Sequence, residues 1–219
     1  FLHTMAAKHF KLNYTGTPRA KTTIHPTKEC LLDTVIDLLD THALESITVD
    51  LVLRESGVSK GSLYHHFEDF PDLLEHALVQ RFSLGVDKSI DMLSRVVRSS
   101  QTRDEALKGL YKATRNTTSA ALAGGRFERT KLVGFSRDNP RLSKKLAAEQ
   151  WRLTSALEGL FSEMQNKSWM SKDFDPRAAA VLIQAYALGK IVDDIVDEKV
   201  DEDAWNALIN KIIDRVFSD

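Results

Sequence analysis

The stretch SGVSKGSLYHHF, Ser56 to Phe67, gathers side chains suited to an anionic, groove-shaped partner. Lys60 can reach a guanine edge or a phosphate. Ser59 and Ser62 can bond phosphate oxygens, helped by the free N–H groups at a helix start. Tyr64, His65 and His66 suit phosphate and thymine-methyl contacts. With Lys60 at zero and a step of about 100° per residue, Lys60, Tyr64, Gly61 and His65 share one arc, and Leu63 and Phe67 are left as core anchors. A glycine inside a helix costs roughly 1 kcal/mol relative to alanine. Gly61 makes sense where something approaches the backbone closely, and a DNA major groove admits one α-helix.

Such a helix has to be held by its neighbours. Leu31, Leu32, Val35, Ile36, Leu38 and Leu39 recur at helical spacing, with Thr27 as the expected N-cap and an end expected near His42. Thr48 is an N-cap for a short helix with Val49, Val52 and Leu53 on its apolar side. Ser56-Gly57 breaks that helix, and Ser59 caps the next, from about Lys60 to Phe67. Asp69 caps a long helix with Pro71 in its first turn, where proline is tolerated. Three helices in 27–69, the last two joined by a glycine turn, form a helix-turn-helix pattern.

The remainder also reads as helix. Thr102 and Glu105 form a capping-box pair. Gly124-Gly125 is expected to break the chain. Asn139-Pro140 opens a long helix through Trp151 and Phe161, Asp175-Pro176 another, and Asp201 the last. The fold class is all-α, with roughly nine helices. The segment from Asp175 to Glu198 is apolar on more than one side, so it faces a core on one side and either more core or a partner on the other. Ala179, Ile183, Tyr186 and Ala187, with Trp205, Ile209 and Ile212 of the last helix, are the expected interface. Pocket candidates are Phe82, Tyr111, Arg115, Phe127, Phe135 and Trp151, with Met92, Arg126 and Gln150 beside them.

Of the 219 residues, 42% are hydrophobic and 28% charged, enough for a packed core. The single cysteine, Cys30, leaves no intrachain disulfide and fits a reducing, cytoplasmic setting. No apolar run approaches a membrane span, no signal-peptide pattern opens the chain, and Met5 is a candidate start residue. GGRFERTK lacks the lysine-serine/threonine ending of a phosphate loop. His65-His66 with Cys30 or His76 match no metal-ligand spacing. No nucleophile-base pair or carboxylate pair stands out, so neither an enzyme nor a cofactor is expected. Charge is uneven. Residues 1–26 carry Lys8, Lys11, Arg19 and Lys21 and no acid, whereas 27–69 hold three bases against nine acids.

ITVDLVLRESGVSKGSLYHHFEDFPDLLEHAL resembles the N-terminal segment of TetR-family transcriptional regulators, through Thr48 and Val49, RESGVSKGSLYHHF, and the capped helix through Leu73 and Leu74. The resemblance implies a homodimeric regulator, most often a repressor, that binds palindromic double-stranded operator DNA. Residues 1–26 would be a basic arm, 27–69 the DNA-binding domain and 70–219 a ligand-binding and dimerisation domain for a small apolar or amphipathic effector. It also implies a four-helix dimer interface and DNA contacts from Thr48, Ser59, Lys60, Gly61, Ser62, Tyr64, His65 and His66. Three departures stand out. Ala43 replaces a usual glycine, Phe70 replaces a phosphate-binding lysine of many members, and residues 27–69 are acidic where phosphate neutralisation dominates affinity. The arm can compensate along the backbone or in the minor groove. The acidity favours an alternative: the same helical dimer acting through a protein partner.

Overall fold

A computed structural model describes residues 24–217, and every regular element among them is helical. Residues 1–23, most of the basic arm, lie outside the described residues. The helices are α1 (Pro26–Leu38), α2 (Val49–Ser56), α3 (Lys60–His66), α4 (Phe70–Ser99), α5 (Arg103–Thr118), α6 (Ala123–Ser136), α7 (Pro140–Asn166), α8 (Pro176–Gly189), α9 (Ile191–Asp194) and α10 (Glu202–Phe217). That is one more than the periodicity suggests, because α9 is a single turn.

Short polar caps set most of the boundaries. Thr48 Oγ1 accepts from Leu51 N at 3.3 Å, Ser59 Oγ from Ser62 N at 3.2 Å and Asp69 Oδ1 from Asp72 N at 2.6 Å. Asn139, Asp175 and Asp201 cap α7, α8 and α10 in the same way. Each such cap contributes about 1 kcal/mol. Thr102 caps α5, but the Glu105 carboxylate accepts from Gln101 N, one residue before the partner of a standard capping box.

Three expectations need correction. α1 is capped by His25, whose Nδ1 accepts from Thr27 N at 3.3 Å, and Pro26 takes its first position, so Thr27 lies inside. α1 ends at Leu38, and Thr41 and His42 close a turn onto the Leu38 carbonyl instead of extending it. Gly124 and Gly125 sit in the first turn of α6, and the chain breaks before them, around the 3-10 turn Ala120–Leu122.

Two cores form. Leu31, Val35, Val52, Leu63, Phe67, Leu73 and Ala77 pack the first, from α1 to the start of α4. Val86, Val97, Leu157, Met164, Ile209 and Ile213 belong to the second. α4 supplies both, so one rigid helix joins the helix-turn-helix to the bundle.

Candidate nucleic-acid interface

The turn between α2 and α3 is built locally. Gly57 has φ +67° and donates its N–H to the Leu53 carbonyl at 3.0 Å. That left-handed conformation strains any residue with a Cβ. Ser56 Oγ accepts from Val58 N at 3.2 Å and fixes the chain on its way out of the turn. α3 is pinned by Leu63, fully buried, and by Phe67, which reaches the core from an extended backbone (φ −131°) just past the helix end.

Thr48, Ser59, Lys60, Gly61, Tyr64 and His65 are exposed, with Tyr64 45% exposed despite its ring. A Cβ built on Gly61 meets nothing within 4 Å among the described residues, so packing among them does not explain the glycine. Two of the eight expected contact residues differ. Ser62 is half-buried, its hydroxyl 2.9 Å from Ser59 Oγ. His66 is half-buried too and turns toward α1, its ring 4.7 Å from that of His25. Partial burial, then the neighbouring His25, His65 and Lys28, holds the His66 imidazole below its ordinary value.

The acidity of 27–69 is partly offset by bases from beyond it. Asp40 meets Arg81 at 3.0 Å, Glu45 meets Lys131 at 3.5 Å, and Glu68 and Asp69 both meet Arg141 at 3.3 Å. Glu55 pairs with Arg54 inside the segment. Five of the nine acids therefore have a basic partner, with Arg141 shared between Glu68, Asp69 and Glu75. Ala43 holds an ordinary φ of −65°, so this turn needs no glycine. Phe70 packs half-buried on the first core.

Just past α3, the start of α4 is tied to the start of α7. Glu75, 5% exposed, accepts from Asn139 Nδ2 at 2.8 Å, Arg141 Nε at 2.8 Å and Lys145 Nζ at 3.3 Å. Lys145 also reaches Asp72 at 2.8 Å. Burial raises the pKa of both carboxyls, but these hydrogen bonds outweigh it and hold both below the usual range.

In the bundle, a cavity of about 80 Å³ lies between α4, α5, α7, α8 and α10, with Arg129 of α6 at its wall. None of those six pocket candidates lines it, but Met92, named beside them, does. Phe127 and Phe135 are exposed and Trp151 is 53% exposed, stacked under Arg177. Arg115 pairs with Asp203 on the surface. Tyr111 donates to Asp214, and burial together with that carboxylate pushes its phenol up to about 12. Phe82 packs between the second core and the cluster of Leu132, Leu142 and Leu146, beneath Arg129. Arg126 is bound to Asp194 by two hydrogen bonds, at 2.6 and 2.7 Å, and holds α6 to α9. The cavity instead takes Arg129, Gln184 and Tyr186, assembled from helices far apart in sequence.

The expected interface residues also divide. Ile209 is core, while Ile183, Tyr186 and Ala187 line the cavity. Ala179 and Trp205 are half-buried against the second core. The outer apolar face belongs to Val181, Leu182 and Ala185 of α8 and Leu208 and Ile212 of α10. No helix of the described residues is long and apolar enough to cross a membrane.

Residues 31–77 match the family model for bacterial regulatory proteins of the tetR family. No curated protein matches the chain. Among solved structures, a Mesorhizobium loti protein assigned to the TetR-family transcriptional regulators aligns with TM-score 0.65 at 12% identity, covering 87% of this chain and 94% of that one. A TetR/AcrR-family regulator from Thermobifida fusca aligns with TM-score 0.60 at 12% identity, covering 89% and 100%. A Rhodococcus sp. protein assigned to the same family gives TM-score 0.59 at 18% identity, covering 88% and 98%. At these identities the likeness is one of fold, and it extends over both domains.

Proposed function

We propose that this TetR-family regulator is a cytoplasmic repressor that binds a palindromic operator as a homodimer and releases it when a small molecule fills the bundle. The observation that carries the reading is the outer face of α3. Lys60, Tyr64 and His65 stand exposed around a glycine that no packing contact among the described residues explains. A helix of this kind fits a major groove, with Lys60 and Gly61 deepest and Ser59, Thr48 and Tyr64 on phosphates. Ser62 and His66 act from the edge of the contact. The apolar face of α8 and α10 pairs with its copy, which sets two recognition helices about one DNA turn apart. The pairing of Asp40, Glu45, Glu68 and Asp69 with bases beyond the segment weakens the case for a protein partner in place of DNA.

The test is enrichment of genomic fragments on the purified protein, then titration of the enriched site against salt. A palindromic site is expected, bound more weakly as salt rises. Lys60→Ala and Tyr64→Ala should each weaken it at least tenfold with the dimer intact. An intact dimer that enriches no site would overturn the reading.

A further inference from the structure

We infer that the bundle cavity is built for an amphipathic monocarboxylate, with Arg129 as the residue that receives its carboxylate. The inference rests on the effector role proposed for this domain and names the chemical class of the effector.

Arg129 reaches inward from α6, half-buried, with its guanidinium 5.0 Å from the centroid of the Phe82 ring. Its Nη2 donates to Gln150 Oε1 at 3.0 Å. Gln150 passes the chain on to Gln184, whose Nε2 donates to Thr154 Oγ1 at 3.2 Å and to the Ala180 carbonyl at 2.9 Å. The amides are thereby committed to each other. A guanidinium has five N–H donors, and no nitrogen of this half-buried one is sealed off without a partner, so the remaining donors are open to solvent or to a molecule entering the cavity.

No carboxylate among the described residues forms an ion pair with Arg129, and burial alone lowers the pKa of its guanidinium. Arg126, three residues earlier on the same helix, shows the contrast. It has a two-point carboxylate partner and two backbone carbonyls, from Thr117 and Ser119. A cation at the wall of a mainly apolar cavity, with no carboxylate beside it, favours an anionic ligand over a neutral or cationic one. The flat guanidinium fork matches a carboxylate with two parallel hydrogen bonds.

The rest of the cavity is mainly apolar, with Met92, Leu93, Leu110, Leu153, Leu157 and Ile213 on its walls beside the polar groups of Ser89, Thr114, Thr117, Gln184 and Tyr186. Such walls reject a fully hydrated inorganic anion and accept a hydrocarbon or aromatic body. The volume of about 80 Å³ suits a small acid, since one water needs roughly 10–15 Å³ on this measure. A second, almost wholly apolar cavity shares Ile183, Tyr186, Ile213 and Phe217 with the first, so a longer tail has a direction in which to extend.

The test compares acids with uncharged counterparts of the same body: hexanoate, octanoate and decanoate against their alcohols, and benzoate against benzyl alcohol. Calorimetry on the full dimer without DNA is expected to show at least one acid binding tenfold or more tightly than its alcohol, while sulfate and the octylammonium cation do not bind. Arg129→Gln should bring that acid down to the level of its alcohol, and Arg129→Lys should keep part of the preference. If every alcohol binds wild-type protein as well as its acid, or if no acid binds, the inference is overturned without recourse to any variant. Retained acid preference in a folded Arg129→Gln dimer would also overturn it. An acid that binds through Arg129 but leaves operator affinity unchanged would uphold the inference and overturn effector control. Operator release by an uncharged compound, with no acid bound, would do the reverse.

Discussion

Two glycines four residues apart carry opposite expectations. Gly57 sits at φ +67°, so Gly57→Ala should destabilise the protein by about 1–2 kcal/mol. Gly61 is helical with open space around it, so Gly61→Ala should stabilise it by about 0.5–1 kcal/mol. Urea unfolding measures both. On the enriched operator, Gly61→Ala should nonetheless bind at least tenfold more weakly, because its methyl would occupy the space the groove needs. A variant that is more stable and binds as tightly would remove the glycine from the interface. These residues were legible in the sequence because turn and cap chemistry is local: Gly57, Ser59 and Leu63 declare themselves within one helical turn. His66 was not, because its contact with His25 crosses from α3 to α1.

At the scale of elements, the junction of α4 and α7 should respond to acid. Glu75 and Asp72 have folded pKa values below their unfolded ones, so their ion pairs stabilise fully above the ordinary carboxylate range, about pH 4. That stability is lost as pH falls through the lower folded values. His76 lies beside them, and its folded pKa is lowered by burial and then by Lys145. Its contribution is present above the unfolded histidine value, about 6.5, and falls as pH drops below it. Glu75→Gln should destabilise the protein at neutral pH by about 1.5–3 kcal/mol, the range for hydrogen bonds to a charged group. It should also flatten the decline of stability below about pH 4, which urea titrations at a series of pH values would show. An unchanged acid profile would mean the pairs contribute nothing to stability. The helix starts at Asp69 and Asn139 can be read from their caps, but the network between them cannot. It brings together carboxylates and bases about seventy residues apart, and periodicity carries no information about which two helix ends meet. Apart from Met92, the cavity was hidden for the same reason. Exposed aromatics such as Phe127 and Trp151 look like pocket walls in sequence, whereas Arg129 looks like any surface base.

For the whole molecule, the proposed function makes the distance between two copies of α3 the decisive quantity, and that exists only in a dimer. Leu182 is 50% and Leu208 54% exposed, and α8 and α10 lie side by side along a cavity they both line. Burying the exposed half of a leucine contributes about 1 kcal/mol. In a two-fold interface each residue counts twice, so these two positions contribute about 4 kcal/mol to association. Leu182→Glu with Leu208→Glu removes that sum and sets like charges on a symmetric face. Sedimentation at micromolar concentration should then show a monomer with an unchanged far-UV spectrum, since neither side chain belongs to the buried core. A single half-site offers one α3 half the phosphate contacts, so operator affinity should fall by at least a hundredfold and its salt dependence by about half. Ligand binding separates this face from the cavity when the probe is an acid short enough for the first cavity, since Leu182 lines the second. If the monomer still binds its acid through Arg129, the cavity is complete within one protomer, and operator release by that acid must come from a change in how the protomers are held. If acid binding is lost with the dimer, the partner closes the cavity, and assembly and effector response are one equilibrium.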